Sequence, residues 1–464
     1  MWYWRRPRTG SRLFPLLLAT VCLTAVETLG QAPDIGFRRL GPARPANAPV
    51  LATAGPIVVQ DTLEDAWRAA LQWDQRVEAG QWNVSSAKSA QGAAEAERLP
   101  SLQLGANYYA LSDQPAFSFN LSGTPLEMPF VDSTSGGFSA MVTQPLYTFG
   151  RISSGINAAR ESVNASQADL ERTRLDIKMN VAEVYVLSLR ARRLIEVAES
   201  RAASLEAHTT DVQHLFDKGL VSRNDLLAAQ VALANARQQA LQARNALRVV
   251  HAAYNRALGR PLSAPVRLAE LPPVYLVGDV DELTRTALQC RPELAALSAQ
   301  ARGLREQAAA VQAQKAPQVG VTGGYLYERD QYIEPNGLAA VVLGLKWTPV
   351  DSGRVSHRAA ALTEKAEAAV RLRKDTESMI ALQVRQKWLD LQTALQRVEV
   401  TRQATAQADE NIRVARDRYQ HQVGTNTEVL EAETLRVQAY TNFYNSSYEA
   451  VLAELRLRRA VGNL

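Results

Sequence analysis

The side chains that most often carry catalysis or bind metals are sparse in this 464-residue sequence. The five histidines are dispersed, and none combines with cysteines or paired acids at the spacing of a metal site. The sequence also has no G-x-S-x-G motif, no P-loop and no dinucleotide-binding fingerprint. We therefore expect a protein that is not an enzyme and that holds no cofactor or metal. The histidines are His208, His214, His251, His357 and His421.

The N-terminus carries the pattern of an export signal. Four arginines within the first twelve residues precede the apolar run 13–26, and small residues follow that run. Because the run is shorter than the roughly 20 residues that span a bilayer, we expect residues 1–30 to be a cleaved signal peptide. Residues 31–60, rich in Pro and Ala, read as an extended leader. The early arginines account for most of the formal charge of +5, so the charge predicts no nucleic-acid partner.

The two cysteines predict a protein without an internal disulfide. Cys22 lies within the apolar run, where the large Val21 before it makes lipid attachment unfavourable. Signal cleavage would leave Cys290 alone, and a single cysteine in an exported protein has no partner in its own chain. Stability must then come from packing or from assembly.

A duplication organises the rest of the chain. Residues 70–79 align with residues 287–296 at an offset of 217, and residues 216–230 align with residues 419–433 at an offset of 203. The single change in offset falls between the two halves of a predicted β-hairpin. Each repeat reads as a helix, a β-hairpin and a long coiled-coil hairpin. The predicted boundaries are repeat 1 at 61–259, with β-hairpin 101–147 and coiled-coil hairpin 150–258; an equatorial linker at 260–279; and repeat 2 at 280–464, with β-hairpin 318–348 and coiled-coil hairpin 353–461.

Local patterns predict the elements of each repeat. Residues 61–98 read as one helix, capped by Asp61 or Thr62 with Glu64 completing a capping box, and ending before Pro100. Apolar and polar residues alternate over residues 101–111 and 136–147, which predicts strands with one face in apolar surroundings. The second repeat adds strands over residues 319–327 and 339–347. The connections 112–135 and 328–337, rich in Pro, Gly, Ser and Asp, are expected to be loops.

The coiled-coil hairpins follow from heptad spacing. Apolar residues recur every seven positions from Ile156 to Val212 without an intervening proline. A helix of that length would extend about 100 Å. Residues from Leu226 to Tyr254 repeat the spacing and predict an antiparallel return helix. The second repeat carries its own seam of Ile380, Val384, Leu391, Val398, Ile412 and Tyr419.

Four amphipathic strands in one chain predict an assembly in a membrane. An open sheet in lipid leaves edge N–H and C=O groups unpaired, and a closed barrel needs at least about eight strands. Three copies would supply 12 strands. Aromatic residues near the strand ends would lie at the membrane interfaces. They are Tyr108, Tyr147, Phe149, Tyr327 and Trp347.

The duplicated layout and three local motifs give this chain a family resemblance. The strand-to-helix junction at residues 144–151 reads QPLYTFGR, and the two helix turns read FDKGLVSRNDLL at residues 216–227 and YQHQVGTNTEVLEA at residues 419–432. Over about residues 60–464 the chain resembles the TolC-like outer-membrane efflux proteins. In the second turn Gln422 stands at the family's usual glycine position, so Gly424 is the candidate to supply that turn.

The resemblance implies a mainly α-helical protein with a membrane β-barrel part. Three protomers, each with four strands, would close a 12-stranded barrel in the outer membrane and an α-helical tunnel through the periplasm. It also implies a periplasmic adaptor protein and an inner-membrane transporter of RND, ABC or MFS type as partners. Drug, metal and protein export are all compatible with such a passive conduit. The expected adaptor-contacting tip residues are Gly219, Leu220, Val221, Ser222, Val423, Gly424 and Thr425.

The resemblance also suggests an aperture at the tips. Glu428 and Glu431 fall where the family carries acids near the tunnel mouth, and three copies would make negative rings that attract cations. Solvated helix-face carboxylates are the alternative. Asp225 would either cap the return helix or form a polar latch to the neighbouring hairpin near Tyr419. We hypothesise that these four residues hold the aperture shut.

Four other classes of protein compete with this interpretation. A periplasmic adaptor would have one coiled-coil hairpin flanked by lipoyl-like halves and no lipid-facing strands. An enzyme with a helical domain would need a catalytic site. A scaffold coiled coil would lack the membrane location, and a soluble β-sandwich would need more strands per chain. The two hairpins and the four strands favour the channel.

Overall fold

Eight helices and six strands make up the described part of the chain. The computed structural model describes residues 60–464 apart from residues 122 and 277, so the predicted signal peptide and nearly all of the predicted leader lie outside it. In chain order the helices are α1 (Leu63–Trp73), α2 (Gln75–Ala96), α3 (Arg151–Asp217), α4 (Arg223–Ala257), α5 (Val280–Cys290), α6 (Pro292–Gln312), α7 (Arg354–Gln420) and α8 (Asn426–Val461). The strands are β1 (Ser101–Ala110), β2 (Ala116–Leu121), β3 (Thr124–Pro129), β4 (Thr134–Tyr147), β5 (Gln318–Arg329) and β6 (Gly337–Lys346).

The two long coiled-coil hairpins are present as predicted. Helices α3 and α7 each contain 67 residues, a length of about 100 Å at 1.5 Å per residue. Helices α4 and α8 return over 35 and 36 residues. Within the described part of the chain, no helix combines the length and the apolar character needed to cross a membrane.

The heptad residues of α3 form the seam of its hairpin. Ile156, Val163, Leu170, Ile177, Leu205 and Val212 are buried. At the middle of α3 the buried set widens to include Val181, Tyr185 and Leu189, because α1, α4 and α8 all pack there. The Tyr185 hydroxyl donates to the main-chain oxygens of Asp61 at 2.9 Å and Ala269 at 2.7 Å. This core therefore ties the start of the described chain and the linker to the long helices.

The duplication is visible in the backbone. Each 67-residue helix begins after a glycine with a left-handed backbone, Gly150 at φ 91° and Gly353 at φ 84°, and each glycine follows another residue with positive φ. The helix before each β-hairpin is also interrupted once, at Asp74 in the first repeat and at Arg291 in the second. The two positions are equivalent in the duplicated sequence.

Two details of the first predicted helix are wrong. The segment 61–98 is two helices, since Asp74 ends α1 and caps α2 with an extended backbone of φ −68° and ψ 120°. The capping residue of α1 is Thr62, whose hydroxyl oxygen accepts from the Asp65 N–H at 3.2 Å and whose hydroxyl donates to the Asp65 carboxylate at 2.7 Å. Asp65 therefore fills the capping-box position that was predicted for Glu64.

The four predicted strands form one antiparallel sheet with the order β1-β4-β5-β6. The register places Leu104, Ala140, Tyr325 and Ala339 in one row across the sheet, so their side chains share a face. The apolar residues of that face are exposed in the single chain, as Leu102, Leu104 and Val341 illustrate. The opposite face is mixed: the Thr143 and Thr322 hydroxyls meet there at 3.2 Å, and Met141, Leu326 and Val342 share that face. Strand β1 thus has the alternation that the sequence predicts, whereas β6 is apolar on both faces.

The connection 112–135 is not a plain loop. It contains the additional hairpin β2–β3, in which Ala116 pairs with Pro129 and Phe119 pairs with Leu126. The ring centroids of Phe117 and Phe130 lie 4.5 Å apart across the base of this hairpin. The first repeat therefore carries two more strands than were predicted.

The long helices lie side by side and form a helical wall with two edges. On the sheet side the neighbours are α2, α3, α6 and α7, in that order, and on the tip side they are α4, α3, α8 and α7. Helix α7 is thus at one edge of the wall throughout, while α2 and α4 share the other edge. Both edges lack a neighbouring helix within residues 60–464 as described.

Candidate functional site at the hairpin tips

The first tip turns at Gly219, which has a φ of 72°. The Gly219 N–H donates to the Phe216 carbonyl at 2.8 Å, and the Leu220 N–H donates to the Leu215 carbonyl at 2.9 Å, which closes the end of α3. Helix α4 then begins with a full capping box between Ser222 and Asp225. Ser222 is therefore the N-cap of α4, and Asp225 supports it from the third helical position.

The second tip repeats this geometry with a different residue. The Gln422 N–H donates to the Tyr419 carbonyl at 3.0 Å, and the Val423 N–H donates to the Arg418 carbonyl at 2.9 Å. Gln422 itself takes the left-handed backbone, at φ 62°. The expectation that Gly424 supplies the turn is therefore wrong. Gly424 instead allows a close approach, since a Cβ there would lie 3.0 Å from Arg418 Cβ.

Beneath the tips, the two hairpins share one hydrophobic core. It is formed by residues from all four long helices, and Phe216 and Val221 pack against it from the first tip. A shared core makes the relative position of the hairpins a packed arrangement rather than a loose contact. The buried members are Val212, Leu226, Ala229, Ile412, Ala415, Tyr419, Val429 and Ala432.

A buried polar chain crosses from one hairpin to the other. His208 Nε2 on α3 lies 2.8 Å from Asn426 Oδ1 at the start of α8. Asn426 Nδ2 in turn donates to the Asp225 carbonyl oxygen at 3.0 Å. His208 and Asn426 are 5% and 4% exposed, so both hydrogen bonds are shielded from water. The sequence analysis missed this chain because no motif links residues that are 218 positions apart.

A second buried polar contact lies further along the same interface. Glu433 on α8 is only 1% exposed and accepts from the Ser204 hydroxyl at 2.7 Å and from Arg416 Nη2 at 3.3 Å. Arg416 also contacts the Ser204 hydroxyl. A buried carboxylate is tolerated only when it is paired in this way. The contact joins α3, α7 and α8, and sequence analysis did not predict it.

The structure brings the four predicted aperture residues to the same end of the molecule, with different surroundings. The Tyr419 ring lies 5.3 Å from the His208 ring. Burial, followed by the charges of Asp225 and Asp211, raises the pKa of Tyr419. The Tyr419 hydroxyl has no hydrogen-bond partner within the described residues. It does not bond to the Asp225 side chain, so the latch between those two groups that the sequence suggested is absent from this single chain.

The two glutamates differ in their contacts. Thr425 is the N-cap of α8: its hydroxyl oxygen accepts from the Glu428 N–H at 3.2 Å, and its hydroxyl donates to the Glu428 carboxylate at 3.2 Å. That carboxylate also lies 3.9 Å from Arg418 Nη2, so the Glu428 side chain supports the cap from within this chain. Glu431 lies on the first turns of α8 with an exposed side chain.

The apolar tip residues remain open to solvent. Leu220 is 50% exposed and Val423 is 67% exposed, whereas Val221 is half-buried on the shared core. Each tip thus exposes one aliphatic side chain at the end of a hairpin, where it is suited to contact another protein. Gly219, Ser222 and Thr425 are exposed beside them.

The predicted interface aromatics lie toward both ends of the sheet. Tyr147 and Phe149 pack edge to face at 4.5 Å near the helix end, where the Trp347 indole also donates to the Lys315 carbonyl at 3.0 Å. Tyr108 and Tyr327 lie near the opposite end, and Tyr327 stacks on Phe138 at 5.2 Å. The separation into two groups matches the two interfaces that a membrane would present.

Residues 60–464, where the structure describes them, contain no cluster of three or more His, Cys, Asp or Glu side chains able to hold a metal ion. The His208 imidazole is engaged with an amide, and Cys290 is a free, exposed thiol. The described chemistry of the tips is therefore that of hydrogen bonds, ion pairs and apolar contact.

A comparison with known protein families identifies the family to which this chain belongs. The family model described as outer membrane efflux protein matches residues 67–260 and 283–463. The chain belongs to this family, and the resemblance to TolC-like proteins is confirmed. Its two matched segments agree with a duplicated chain. It is a subunit of an outer-membrane efflux channel, so the alternative of a periplasmic adaptor is excluded.

Solved structures share the fold at low sequence identity. The outer membrane protein VceC of Vibrio cholerae has a TM-score of 0.73 and 19% identity, covering 86% of this chain and 96% of that chain. The CmeC outer membrane channel of Campylobacter jejuni has a TM-score of 0.71 and 14% identity, covering 86% and 85%. The MtrE outer membrane channel of Neisseria gonorrhoeae, in its open state, has a TM-score of 0.70 and 17% identity, covering 86% and 88%. Comparison with curated proteins gave no match.

Proposed function

We propose that three copies of this chain form a passive export channel, with a 12-stranded barrel in the outer membrane and an α-helical tunnel in the periplasm. The observation that carries the proposal is the four-stranded sheet, whose outer strands β1 and β6 have no further strand partner in the described residues. Unpaired backbone groups are unfavourable in lipid, so such a sheet must close. Four strands are too few for a barrel, and three copies provide an even number above the minimum of about eight.

The dimensions of the sheet fit this assignment. Strands β1 and β6 each contain 10 residues, and a tilted membrane strand needs about 9–11. Apolar side chains cover one face, and the aromatic residues lie toward both ends. The proposed barrel would therefore present the face of Leu104 and Val341 to lipid and the face of Thr143 and Thr322 to the lumen.

The helical wall offers two edges for assembly. On the tip side, α4 forms one edge and exposes Leu227, Val231, Leu241 and Val249. Helix α7 forms the other edge. In the part of α7 that pairs with α8, it exposes Leu389 and Val400. Head-to-tail contact between the α4 edge of one copy and the α7 edge of the next would bury both rows and close a ring.

The proposed channel would be exported to the outer membrane and would work with two partner proteins. Residues 1–30 would direct export as a signal peptide, and residues 31–60 would form the leader of the mature chain. A periplasmic adaptor would contact the exposed tips, and an inner-membrane transporter of RND, ABC or MFS type would supply the energy, because the sequence carries no nucleotide-binding motif. The protein itself would act without catalysis, without a cofactor and without nucleic acid.

Fractionation and conductance together test the proposed function. The purified protein is expected in the outer-membrane fraction and should produce ion-conducting pores in planar lipid bilayers. A matched control is a variant with Leu104→Asp and Val341→Asp, which places two charges on the apolar face of the sheet and should prevent insertion. Recovery in the inner-membrane fraction, or bilayers without conductance at any protein concentration, would contradict the proposal.

The aperture hypothesis makes a separate prediction. Alanine at Asp225, Tyr419, Glu428 and Glu431 should remove the carboxylates that accept from Ser222 and Thr425, the exposed Glu431 carboxylate and the buried ring of Tyr419. The expected result is a higher single-channel conductance than that of the unmodified protein. Alanine at the exposed tip residues Lys218 and His421 is the control and should leave conductance unchanged. Equal conductance for the quadruple variant and the unmodified channel would reject a role for these residues in closure.

A further inference from the structure

We propose that His208 makes the contact between the two tip hairpins sensitive to pH, so that proton uptake at this imidazole releases α8 from α3. His208 is on α3, nine residues before the end of that helix, and its partner Asn426 is the first residue of α8. It is the only histidine among the five that is buried in the described chain. The inference rests on the proposed function in one respect, that separation of the tips widens the channel.

The hydrogen bonds define the neutral form of the ring. Asn426 Nδ2 donates to the Asp225 carbonyl, so Asn426 Oδ1 faces His208 as an acceptor. The Nε2 atom of His208 must therefore carry the proton of the neutral imidazole. An added proton would go to Nδ1, because Nε2 already carries the proton that faces Asn426. Protonation would leave the bond to Asn426 in place but would put a positive charge on a side chain that is only 5% exposed.

Charged groups on all four long helices lie around the ring. Asp211 on α3 and Glu433 on α8 favour the charged imidazolium, while Arg416 on α7 opposes it. The carboxylate of Asp225 on α4 is engaged in the capping box with Ser222. The Tyr419 ring of α7 packs against the imidazole as an uncharged neighbour. Glu433 is itself paired with Arg416, which weakens its pull on His208.

Burial dominates this balance and lowers the pKa of His208 below its ordinary value. If α8 moves away, the ring enters water and regains the ordinary value of about 6.5. The separated state then binds the proton more tightly than the packed state. The packed contact is therefore favoured above pH 6.5 and is weakened as pH falls below that value.

The contacts between α3 and α8 around His208 allow protonation of the imidazole to separate these helices. Several contacts between α3 and α8 are hydrogen bonds of Arg201, Ser204 and Arg436 rather than apolar packing. Polar groups of this kind can exchange their partners for water at small net cost. The buried imidazole lies where this polar seam meets the shared apolar core.

Distance measurement between the hairpins tests the proposal directly. Cys290 is first replaced by serine, and spin labels are attached to cysteines at the exposed positions Ala207 on α3 and Thr427 on α8 of the full mature protein in lipid nanodiscs. Between pH 7.5 and pH 5, a second population with a longer distance should appear. Its ratio to the packed population should rise by up to about tenfold per pH unit below 6.5 for each imidazole.

Two variants make the assignment specific. His208→Gln keeps a donor toward Asn426 but does not titrate, so the distance should stay short at every pH. His214→Gln, at an exposed histidine of the same helix, should behave like the unmodified protein. Asp211→Asn removes a charge that favours the imidazolium in the packed state, so the longer-distance population at pH 5 should be larger than in the unmodified protein. This last variant keeps the proposal testable if His208→Gln fails to fold.

Conductance in planar bilayers separates this inference from the proposed function. The unmodified channel should open more often at pH 5 than at pH 7.5, and His208→Gln should abolish the difference. A conducting channel whose distances and conductance are both independent of pH would overturn the role of His208 and leave the channel function intact. Persistence of the same pH response in His208→Gln would also overturn it.

Discussion

Single residues decide how the two tips differ. Gly219 and Gln422 take equivalent left-handed positions, at φ 72° and φ 62°, with the same pattern of main-chain hydrogen bonds. Only glycine adopts this backbone without strain, so the second tip holds a residue that the turn disfavours. The sequence identified both turns, but it could not show which residue of the second turn is left-handed.

Exchanging these residues should change the local stability of each tip in opposite directions. Gln422→Gly should stabilise the second turn by about 1 kcal/mol, and Gly219→Ala should destabilise the first by about the same amount. Nothing lies within 4 Å of a Cβ at Gly219, so the effect there is due to the backbone alone. Trypsin cleavage reports local opening. Cleavage after Arg418 should slow about fivefold in the first variant, and cleavage after Lys218 should speed up about fivefold in the second. Equal rates would contradict the assignment of strain.

At the scale of elements, periodicity predicted the long helices and the four main strands, since heptads and alternation are properties of the sequence itself. The break at Asp74 was missed because Asp74 and Gln75 are compatible with a continuous helix. The second repeat contains a sequence signal for this break. Pro292 follows Arg291, the residue equivalent to Asp74, and is the first residue of α6. The additional hairpin β2–β3 was missed because its short strands include prolines and polar residues, and its pairing depends on a Gly123 turn at φ 88°.

This comparison between repeats gives a prediction for α2. Gln75 is the first residue of α2, and Asp74 before it already has the extended backbone that proline requires of its predecessor. Gln75→Pro should therefore fold normally, with stability unchanged or raised by about 0.5 kcal/mol. Ser86→Pro, at an exposed position inside α2, should cost about 3 kcal/mol. The melting temperatures of the two purified variants compare these effects. A large loss of stability in Gln75→Pro would show that the break at Asp74 is not what the structure describes.

The buried contacts between hairpins lie beyond what periodicity can predict. His208 and Glu433 occupy helix positions whose patterns do not distinguish a buried polar residue from a solvated one. Their burial follows from α3 and α8 meeting side by side, which is set by the whole chain rather than by either helix. The predicted aperture residues Asp225 and Tyr419 were found near this contact because the tip motifs are local in sequence.

At the scale of the whole molecule, the sheet and the helical wall are both incomplete in a single chain. The sheet ends at β1 and β6, and the tip-side wall ends at α4 and α7. Both pairs of edges carry exposed apolar residues, as Leu104, Val341, Val231 and Val400 illustrate. A head-to-tail ring of copies would pair the sheet edges and the helix edges together. The same number of copies must therefore close the barrel and the tunnel.

A charged residue at the α7 edge should therefore impair trimer assembly. A charged residue at the second tip should instead impair adaptor docking. Val400 on α7 and Val423 at the second tip have nearly equal exposure, 68% and 67%. Val400→Glu should reduce the trimer on unboiled gels by about tenfold or more, because a carboxylate placed in an apolar contact lacks compensation. Val423→Glu should preserve the trimer and lower substrate export from cells, since it alters only the proposed adaptor contact. Loss of trimer in both variants, or in neither, would contradict this division of roles.

The stoichiometry of the purified protein tests the central claim most directly. Native mass spectrometry of the mature full-length chain, released from detergent micelles, measures how many copies form the stable particle. The account predicts a particle of three chains that remains intact at micromolar concentration and that aggregates when detergent is withdrawn. A stable single chain that stays dispersed in water without detergent would contradict the account, because one chain cannot pair the edges of its own four-stranded sheet.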